Sequence, residues 1–294
     1  MPELPEAETI ARGLRAPLLG RSIEDVEVLK EDLLSVPKAE FRASLRHRSV
    51  HGVGRRGKNV VVEVGPGSAR GGDVDRLVVN LGMSGRLLRR RPAEPAPLPG
   101  HTGLHFRLDD GSALIYRDVR RFGRLAVLPP DAYRDWSRGL GPEPLADGFR
   151  ARHLIGALSR SRSPVRSWLL DQRRIAGVGN IYANEALARA RIHPGRAARD
   201  LSPDEGRTLH RVLRSVLREA IDAGGTTLRD YRTAEGSEGS YADALRVYGR
   251  EGHPCTRCAG TIVRIRLGGR SAFLCPRCQP AGQQHDSRRR TRPT

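Results

Sequence analysis

Lysine is almost missing from this basic chain: three of its 52 cationic residues are lysine (Lys30, Lys38 and Lys58) and the rest are arginine. Acidic residues are also in short supply, 33 in all, which leaves a formal charge of +19. A deficit of that size implies a polyanionic partner, most commonly nucleic acid, with a merely basic solvated surface as the plain alternative. No stretch approaches the ~20 consecutive apolar residues that a membrane-spanning helix needs. The N-terminus lacks the basic and apolar regions of a signal peptide, so a cytosolic, soluble protein with no membrane partner is expected. Only four cysteines are present. In a reducing compartment they argue for metal ligation over disulfides. The hydrophobic fraction is low at 38%, but the apolar residues fall in periodic runs, which excludes a disordered chain. At 294 residues there is room for two domains, each with its own core.

What the chain does have begins at its first six residues, Met1-Pro2-Glu3-Leu4-Pro5-Glu6. Methionine before proline is a context in which the initiator is removed, leaving the secondary amine of Pro2 as the N-terminus. An amine beside a carboxylic acid (Glu3) can attack an electrophilic carbon and protonate what departs. From Pro5 to Arg15 a helix is predicted, with Ala7, Ile10, Ala11 and Leu14 as its apolar stripe and Glu6 and Glu8 complementing its dipole. Residues 22–128 read as strands, including a hairpin at Asp109-Asp110-Gly111. Residues 65–75 and 91–100 read as exposed loops. Two Pro-rich clusters, Pro129-Pro130 and Gly141-Pro142-Glu143-Pro144, mark residues 131–150 as a linker. Beyond them the period is helical. Ser202-Pro203-Asp204-Glu205 forms a capping box, Gly224-Gly225 closes the helix that follows, and a shorter helix starts near Asn180. Residues 281–294 are polar and basic and read as a disordered tail.

Cys255-x-x-Cys258 and Cys275-x-x-Cys278, sixteen residues apart, have the spacing of one structural Zn²⁺ site, with a redox dithiol pair as the minor alternative. Four thiolates leave no open coordination position, so the metal holds structure and does no chemistry. The segment between them reads as a hairpin turning at Gly268-Gly269, which puts Arg270 at its tip.

The chain resembles the formamidopyrimidine-DNA glycosylases, from Pro2 to about Gln279. Pro2-Glu3-Leu4-Pro5-Glu6, Arg56-Gly57-Lys58, Leu81-Gly82-Met83-Ser84-Gly85 and Asp118-Val119-Arg120-Arg121-Phe122-Gly123 carry the first part of the match. Gly177-Val178-Gly179-Asn180-Ile181-Tyr182-Ala183, Gly224-Gly225-Thr226-Thr227-Leu228, Val247-Tyr248-Gly249-Arg250 and the cysteine cluster carry the rest. The resemblance implies an α+β multidomain protein: an N-terminal β-sandwich with a leading helix (2–130), the linker (131–150), a helix–two-turn–helix domain (151–240) and a zinc finger (245–279). It implies a monomer that binds damaged double-stranded DNA in a basic cleft. There it removes 8-oxoguanine and formamidopyrimidines through a Schiff base on Pro2, then cuts the strand by β,δ-elimination.

By the same resemblance Glu3 is the general acid, Lys58 the proton donor in β-elimination and Arg270 a phosphate contact that also assists δ-elimination. Met83, Arg120 and Phe122 fill the space of the extruded nucleotide. Asn180, His101, Arg160 and Arg162 contact DNA, and Glu6 positions the sugar or a water. Residues 226–241, rich in Gly and Ser, correspond to the mobile loop that caps 8-oxoguanine. Three positions depart from the family pattern: Asn80 replaces a phosphate-binding histidine, Val119 a proline, and Ser161 interrupts a lysine-rich run. The rival readings are an endonuclease VIII-type enzyme for oxidised pyrimidines, disfavoured by Leu4 and by the intact insertion set, and a non-catalytic zinc-finger DNA-binding paralogue.

Overall fold

The computed structural model describes residues 2–68, 74–92, 97–228 and 230–281. The tail expected at 281–294 therefore lies outside the described residues except for Ala281, and both loops expected at 65–75 and 91–100 are described only in part.

Helix α1 runs over Leu4–Leu18, one residue earlier and three later than the pattern suggests. Its stripe Ala7, Ile10, Ala11, Leu14 and Leu18 is buried in the main core of the protein. Eight antiparallel strands follow: β1 (Ser22–Val28), β2 (Arg48–Arg56), β3 (Asn59–Gly65), β4 (Asp75–Asn80), β5 (Gly85–Arg90), β6 (Thr102–Leu108), β7 (Ala113–Asp118) and β8 (Arg124–Leu128). They form one hydrogen-bonded sheet in the order β5-β7-β6-β1-β2-β3-β4-β8, with a short helix α2 (Lys38–Ala43) between β1 and β2. β4 and β5 are six strands apart in that order, roughly 29 Å in a flat sheet. The five peptide steps from Asn80 to Gly85 span at most about 18 Å. The sheet must therefore roll over on itself in the manner expected of a sandwich, with α1 packed against β2 and β3. The same closure sets the β4–β5 and β7–β8 connections side by side, since both cross between the same two ends.

The remaining helices are α3 (Pro130–Arg138), α4 (Ala151–Leu158), α5 (Val165–Leu170), α6 (Asn180–Arg189) and α7 (Pro203–Asp222). The predicted capping box holds α7: Glu205 N donates to Ser202 Oγ at 3.2 Å, and Ser202 N donates to the Glu205 carboxylate at 2.8 Å. Gly224 and Gly225, both at positive φ, end it. The finger hairpin is β9 (Val263–Leu267) paired with β10 (Arg270–Leu274).

The chain forms two compact units that do not follow the sequence boundaries. The first contains residues 1–149, 169–179 and 213–245; the second contains 150–168, 180–212 and 246–294. Residues 131–150 are not a free connector. They include α3, and Arg56 donates hydrogen bonds to the carbonyls of Ser137, Leu140 and Gly141 at 2.9 Å. Pro-rich composition marked a break in secondary structure, not in packing. Residues 230–241 are also anchored: Tyr231 and Ala234 are buried in the α1 core, and Arg89 N donates to Ala234 O. Among the described residues no helix is long and apolar enough to cross a membrane.

Candidate active site and nucleic-acid interface

The N-terminus is folded into the first unit. Pro2 is buried, Glu3 is 1% exposed, and Glu6 is fully buried. Glu3 is the N-cap of α1 and forms a capping box with Glu6. Glu6 does more than complement the dipole. One carboxylate oxygen accepts from Glu3 N at 2.7 Å and the other from Thr226 N at 2.8 Å, tying the helix head to the base of the segment 226–241. Glu8 is drawn away from this site, to Arg12 and Arg55.

Behind Glu3 stands the segment Gly177-Val178-Gly179. Gly177 O accepts from Leu4 N at 3.0 Å. A methyl group on Gly177 would lie 2.7 Å from Leu4 Cβ, and one on Gly179 would lie 2.7 Å from Glu3 Cγ and closer still to its carboxyl carbon. The two glycines are there because the α1 head packs directly on this backbone. Gln172 shapes the segment, accepting from Gly177 N at 2.9 Å and donating to Val178 O at 2.8 Å.

Lys58 sits in the tight β2–β3 turn beside Gly57, whose φ is 60°. Glu143 pins that turn, accepting from Gly57 N at 2.7 Å and forming ion pairs with Arg55 and Arg56. A side chain on Gly57 would meet Ala176 and Gly177 N, so the Lys58 turn and the head of α1 share one wall. The structure thus brings Pro2, Glu3, Glu6 and Lys58 into one neighbourhood.

Met83 lies in the β4–β5 connection, and Arg120 and Phe122 in the β7–β8 connection. Met83 is 38% and Phe122 53% exposed, against a molecule whose large apolar side chains are mostly buried. The Arg120 guanidinium lies over the Phe122 ring, 4.7 Å from its centre. Gly82, at φ 56°, touches the backbone of the second connection: a Cβ there would fall 2.6 Å from Phe122 C and Gly123 N. His101 is exposed, and its carbonyl accepts from Asp118 N at 3.1 Å, which places it beside the same loops. The Asn80 amide is engaged internally: it donates to Asn59 Oδ1 at 2.8 Å and accepts from Gly82 N at 2.9 Å. Val119 is 50% exposed at the start of the loop.

The second unit carries the other candidates. Asn180 begins α6, and Arg270 is exposed where β10 leaves the Gly268-Gly269 turn. Arg166, 1% exposed, joins them: it donates to Asn180 Oδ1 at 2.5 Å, to Ser271 O at 2.6 Å and to Leu267 O at 3.2 Å, gripping both strands beside the tip. Its burial and the nearby Arg270 charge lower its pKa. Arg160 and Arg162 are exposed, whereas Ser161 between them is buried, its hydroxyl accepting from Ser163 N. Glu185, fully buried, accepts from the backbone N–H groups of Arg246, Val247 and Tyr248 and fixes the segment leading into the finger.

The sulfurs of Cys255, Cys258, Cys275 and Cys278 all lie within 4.8 Å of one another, with three pairs at 3.4–3.9 Å. A tetrahedron with Zn–S bonds of 2.3 Å has edges of about 3.8 Å, so the four residues fit one structural zinc ion.

Sequence reading missed Asp118, Glu143, Arg166 and Glu185 as organising residues. The available signal was a charge inside an apolar or closely turned stretch, as with Arg166 between Val165 and Trp168.

A sheet domain opened by a helix, then a helical domain, then a four-cysteine finger is the architecture of the helix–two-turn–helix DNA glycosylases. Family models agree along the chain. The formamidopyrimidine-DNA glycosylase N-terminal domain matches residues 1–125, the corresponding H2TH domain residues 140–232, and the zinc finger found in FPG and IleRS residues 252–281. Curated relatives include the formamidopyrimidine-DNA glycosylases of Heliobacterium modesticaldum, 46% identical over 95% of this chain and 100% of the relative, and of Paracoccus denitrificans, 42% identical over the same shares. Among solved structures, a Lactococcus lactis FPG mutant with Fapy-dG-containing DNA matches with a TM-score of 0.87 and 32% identity, covering 95% of this chain and 100% of that one. A MutM complex with carbocyclic 8-oxo-G DNA matches at 0.86 and 32%, with the same coverage. The chain belongs to the formamidopyrimidine-DNA glycosylase family.

Proposed function

We propose that this protein is a base-excision DNA glycosylase with an associated strand-cleaving activity, acting on oxidised purines in duplex DNA, and that Pro2, Glu3, Lys58 and Arg270 carry its chemistry. The observation that carries the residue assignment is the burial of Pro2 and Glu3 at the head of α1, against the Gly177–Gly179 backbone and beside the Lys58 turn. A flexible chain end offers no such fixed geometry.

A base within a duplex must be extruded before chemistry, at a cost of a few kcal/mol. Met83, Arg120 and Phe122 supply the filling side chains: a flexible apolar group, a planar cation and a flat ring. With initiator methionine removed, the Pro2 nitrogen attacks C1′ as its neutral amine. The positive end of α1 disfavours the ammonium form. The glycosidic bond breaks, and its electron pair and a proton leave with the base. The sugar ring opens with Glu3 protonating the ring oxygen, and the nitrogen, having lost its hydrogen, is left as an iminium at C1′. The iminium acidifies C2′. Loss of that proton expels the 3′ phosphate with Lys58 as acid, and a second elimination expels the 5′ phosphate with assistance from Arg270. Asn180, His101, Arg160 and Arg162 hold the DNA backbone. Zinc holds the finger that presents Arg270. The enzyme acts as a monomer in the cytoplasm, where its substrate lies.

Borohydride trapping on a duplex with one 8-oxoguanine opposite cytosine tests this reading, with a dihydrothymine duplex and a Pro2-blocked protein alongside. An adduct on the first duplex, lost when Pro2 is blocked, is the expected result. Trapping mainly on dihydrothymine would assign a pyrimidine preference. No adduct from a zinc-loaded protein that binds DNA would overturn the amine mechanism.

A further inference from the structure

Beneath the exposed tips of the two insertion loops lies one buried carboxylate. Asp118, 2% exposed, ends β7 and accepts from four donors. Its Oδ1 takes Ser84 Oγ–H at 2.6 Å and Arg120 N–H at 3.2 Å; its Oδ2 takes Gly123 N–H at 2.8 Å and the Tyr116 hydroxyl at 3.4 Å. Ser84 Oγ also accepts from Arg120 N at 3.0 Å. Ser84 follows Met83, while Arg120 and Gly123 bracket Arg121 and Phe122. The bonds therefore close across both connections, not within one.

Three features suit a carboxylate and nothing else here. Ser84 Oγ–H, Arg120 N–H and Gly123 N–H point inward, and the Tyr116 hydroxyl lies between Asp118 Oδ2 at 3.4 Å and Asn80 O at 3.3 Å, so the group must accept at both of its oxygens. Burial and the Asp118 charge raise the Tyr116 pKa, which keeps its hydroxyl a donor at every working pH. Arg121 sits at φ 54°, a conformation costly for a side chain with a Cβ, and it persists because the bonds on either side fix the loop. Asp118 takes the backbone of Arg120, not its guanidinium, which is left over the Phe122 ring.

We propose that Asp118 is a positioning residue for base extrusion: its carboxylate locks the Met83 loop and the Arg120–Phe122 loop into one preformed wedge. This rests on the reading of Met83, Arg120 and Phe122 as insertion residues. A preformed wedge enters the stack without first ordering two loops, so loosening it slows extrusion and leaves the chemical groups at α1 untouched. Asparagine at 118 keeps the shape but turns an NH₂ toward inward-pointing N–H or O–H donors, and at least one of the four partners loses its acceptor.

The test uses zinc-loaded, full-length Asp118→Asn and Ser84→Ala proteins, with Met83→Ala and Phe122→Ala for reference. Two single-turnover rates are compared: excision of 8-oxoguanine from a duplex, and cleavage of a ready-made abasic site in single-stranded DNA, which needs no extrusion. A 2-aminopurine beside the lesion reports unstacking directly. For Asp118→Asn the expected result is a loss of about thirtyfold or more in duplex excision, a matching delay in the 2-aminopurine signal, and single-strand cleavage within about twofold of wild type. Ser84→Ala, which removes one bridge and keeps the carboxylate, gives about a fivefold loss in the same pattern and decides the matter if Asp118→Asn does not fold. If both rates fall in parallel, Asp118 is merely structural and the proposal is overturned. It is also overturned if the reference variants slow extrusion and neither Asp118→Asn nor Ser84→Ala does. If the reference variants themselves leave extrusion unchanged, the insertion reading fails first.

Discussion

Replacing Gly179 by alanine tests the placement of Glu3 with a single methyl group. Gly179 has no positive φ, so its backbone accepts alanine without strain. The added Cβ has one obstacle: it lies 2.7 Å from Glu3 Cγ and closer to the carboxyl carbon, where carbon atoms at rest sit about 3.5–4.0 Å apart. Relief requires the Glu3 side chain to move by about 1 Å or more. Overpacking of this kind costs about 1–3 kcal/mol of stability, which a protein of this size survives. A displacement of about 1 Å of a group that must meet the reacting atoms costs on the order of 10²-fold in rate.

Gly179→Ala should therefore fold, bind one zinc and bind duplex DNA, yet excise 8-oxoguanine about a hundredfold more slowly in single-turnover assays. Gly156→Ala is the control: a Cβ there meets nothing within 4 Å, and activity should be unchanged. Glu3→Asp withdraws the carboxylate by one methylene. If the two residues act through the same contact, the double variant Glu3→Asp/Gly179→Ala should lose less than the product of the single losses, a coupling of roughly 0.5–3 kcal/mol. A folded Gly179→Ala enzyme with wild-type excision would refute the reasoning, because Glu3 could not then be working from the position in which it is seen.

Arg166→Ala removes one donor from each of three acceptors around the finger tip, two of which keep a second donor from Asn180 or Asn184, and hydrogen bonds to charged groups are worth about 1.5–3 kcal/mol each. Faster amide exchange in β9 and β10 and weaker duplex binding are expected, and unchanged exchange would dismiss the clamp. Stripping zinc with a chelator should unfold the finger and abolish tight duplex binding, both restored by one equivalent of Zn²⁺, as followed by circular dichroism and anisotropy. The Glu205 pKa is lowered: burial pushes it up, but the Arg196 side chain and Ser202 N–H more than reverse that. A lowered carboxylate contributes stability above its ordinary pKa of 4.5 that is lost as pH falls through the lower folded value. Thermal unfolding from pH 7 down to 3 should therefore show a smaller acid loss for Glu205→Gln than for wild type.

Local signals carried much of this fold. Ser202 and Glu205 announced the start of α7 because both halves of a capping box lie within four residues, and Gly268-Gly269 announced the finger turn because two consecutive positive φ values favour glycine. The zinc ligands were legible for the same reason, since each CxxC is a local turn. What the chain order hid was every relation that depends on closure of the sheet. Residues 131–150 looked like a tether because proline breaks elements, whereas Glu143 and the carbonyls around it complete the Lys58 turn. Gly177 and Gly179 carried no local meaning, because the side chains they make room for are Leu4 and Glu3, more than 170 residues away. Asp118 looked like the unremarked first letter of a loop motif, and Asn80 like a lost phosphate contact. Asp118 became intelligible only when six strand positions of separation were seen to close into one connection site, and Asn80 when its amide was found held by Asn59 on the neighbouring strand and by Gly82. The residues proposed to do chemistry were named from the chain. The groups that hold them still belong to partners brought in by the rolled sheet, and they are where a substitution can disable the enzyme without touching a reactive atom.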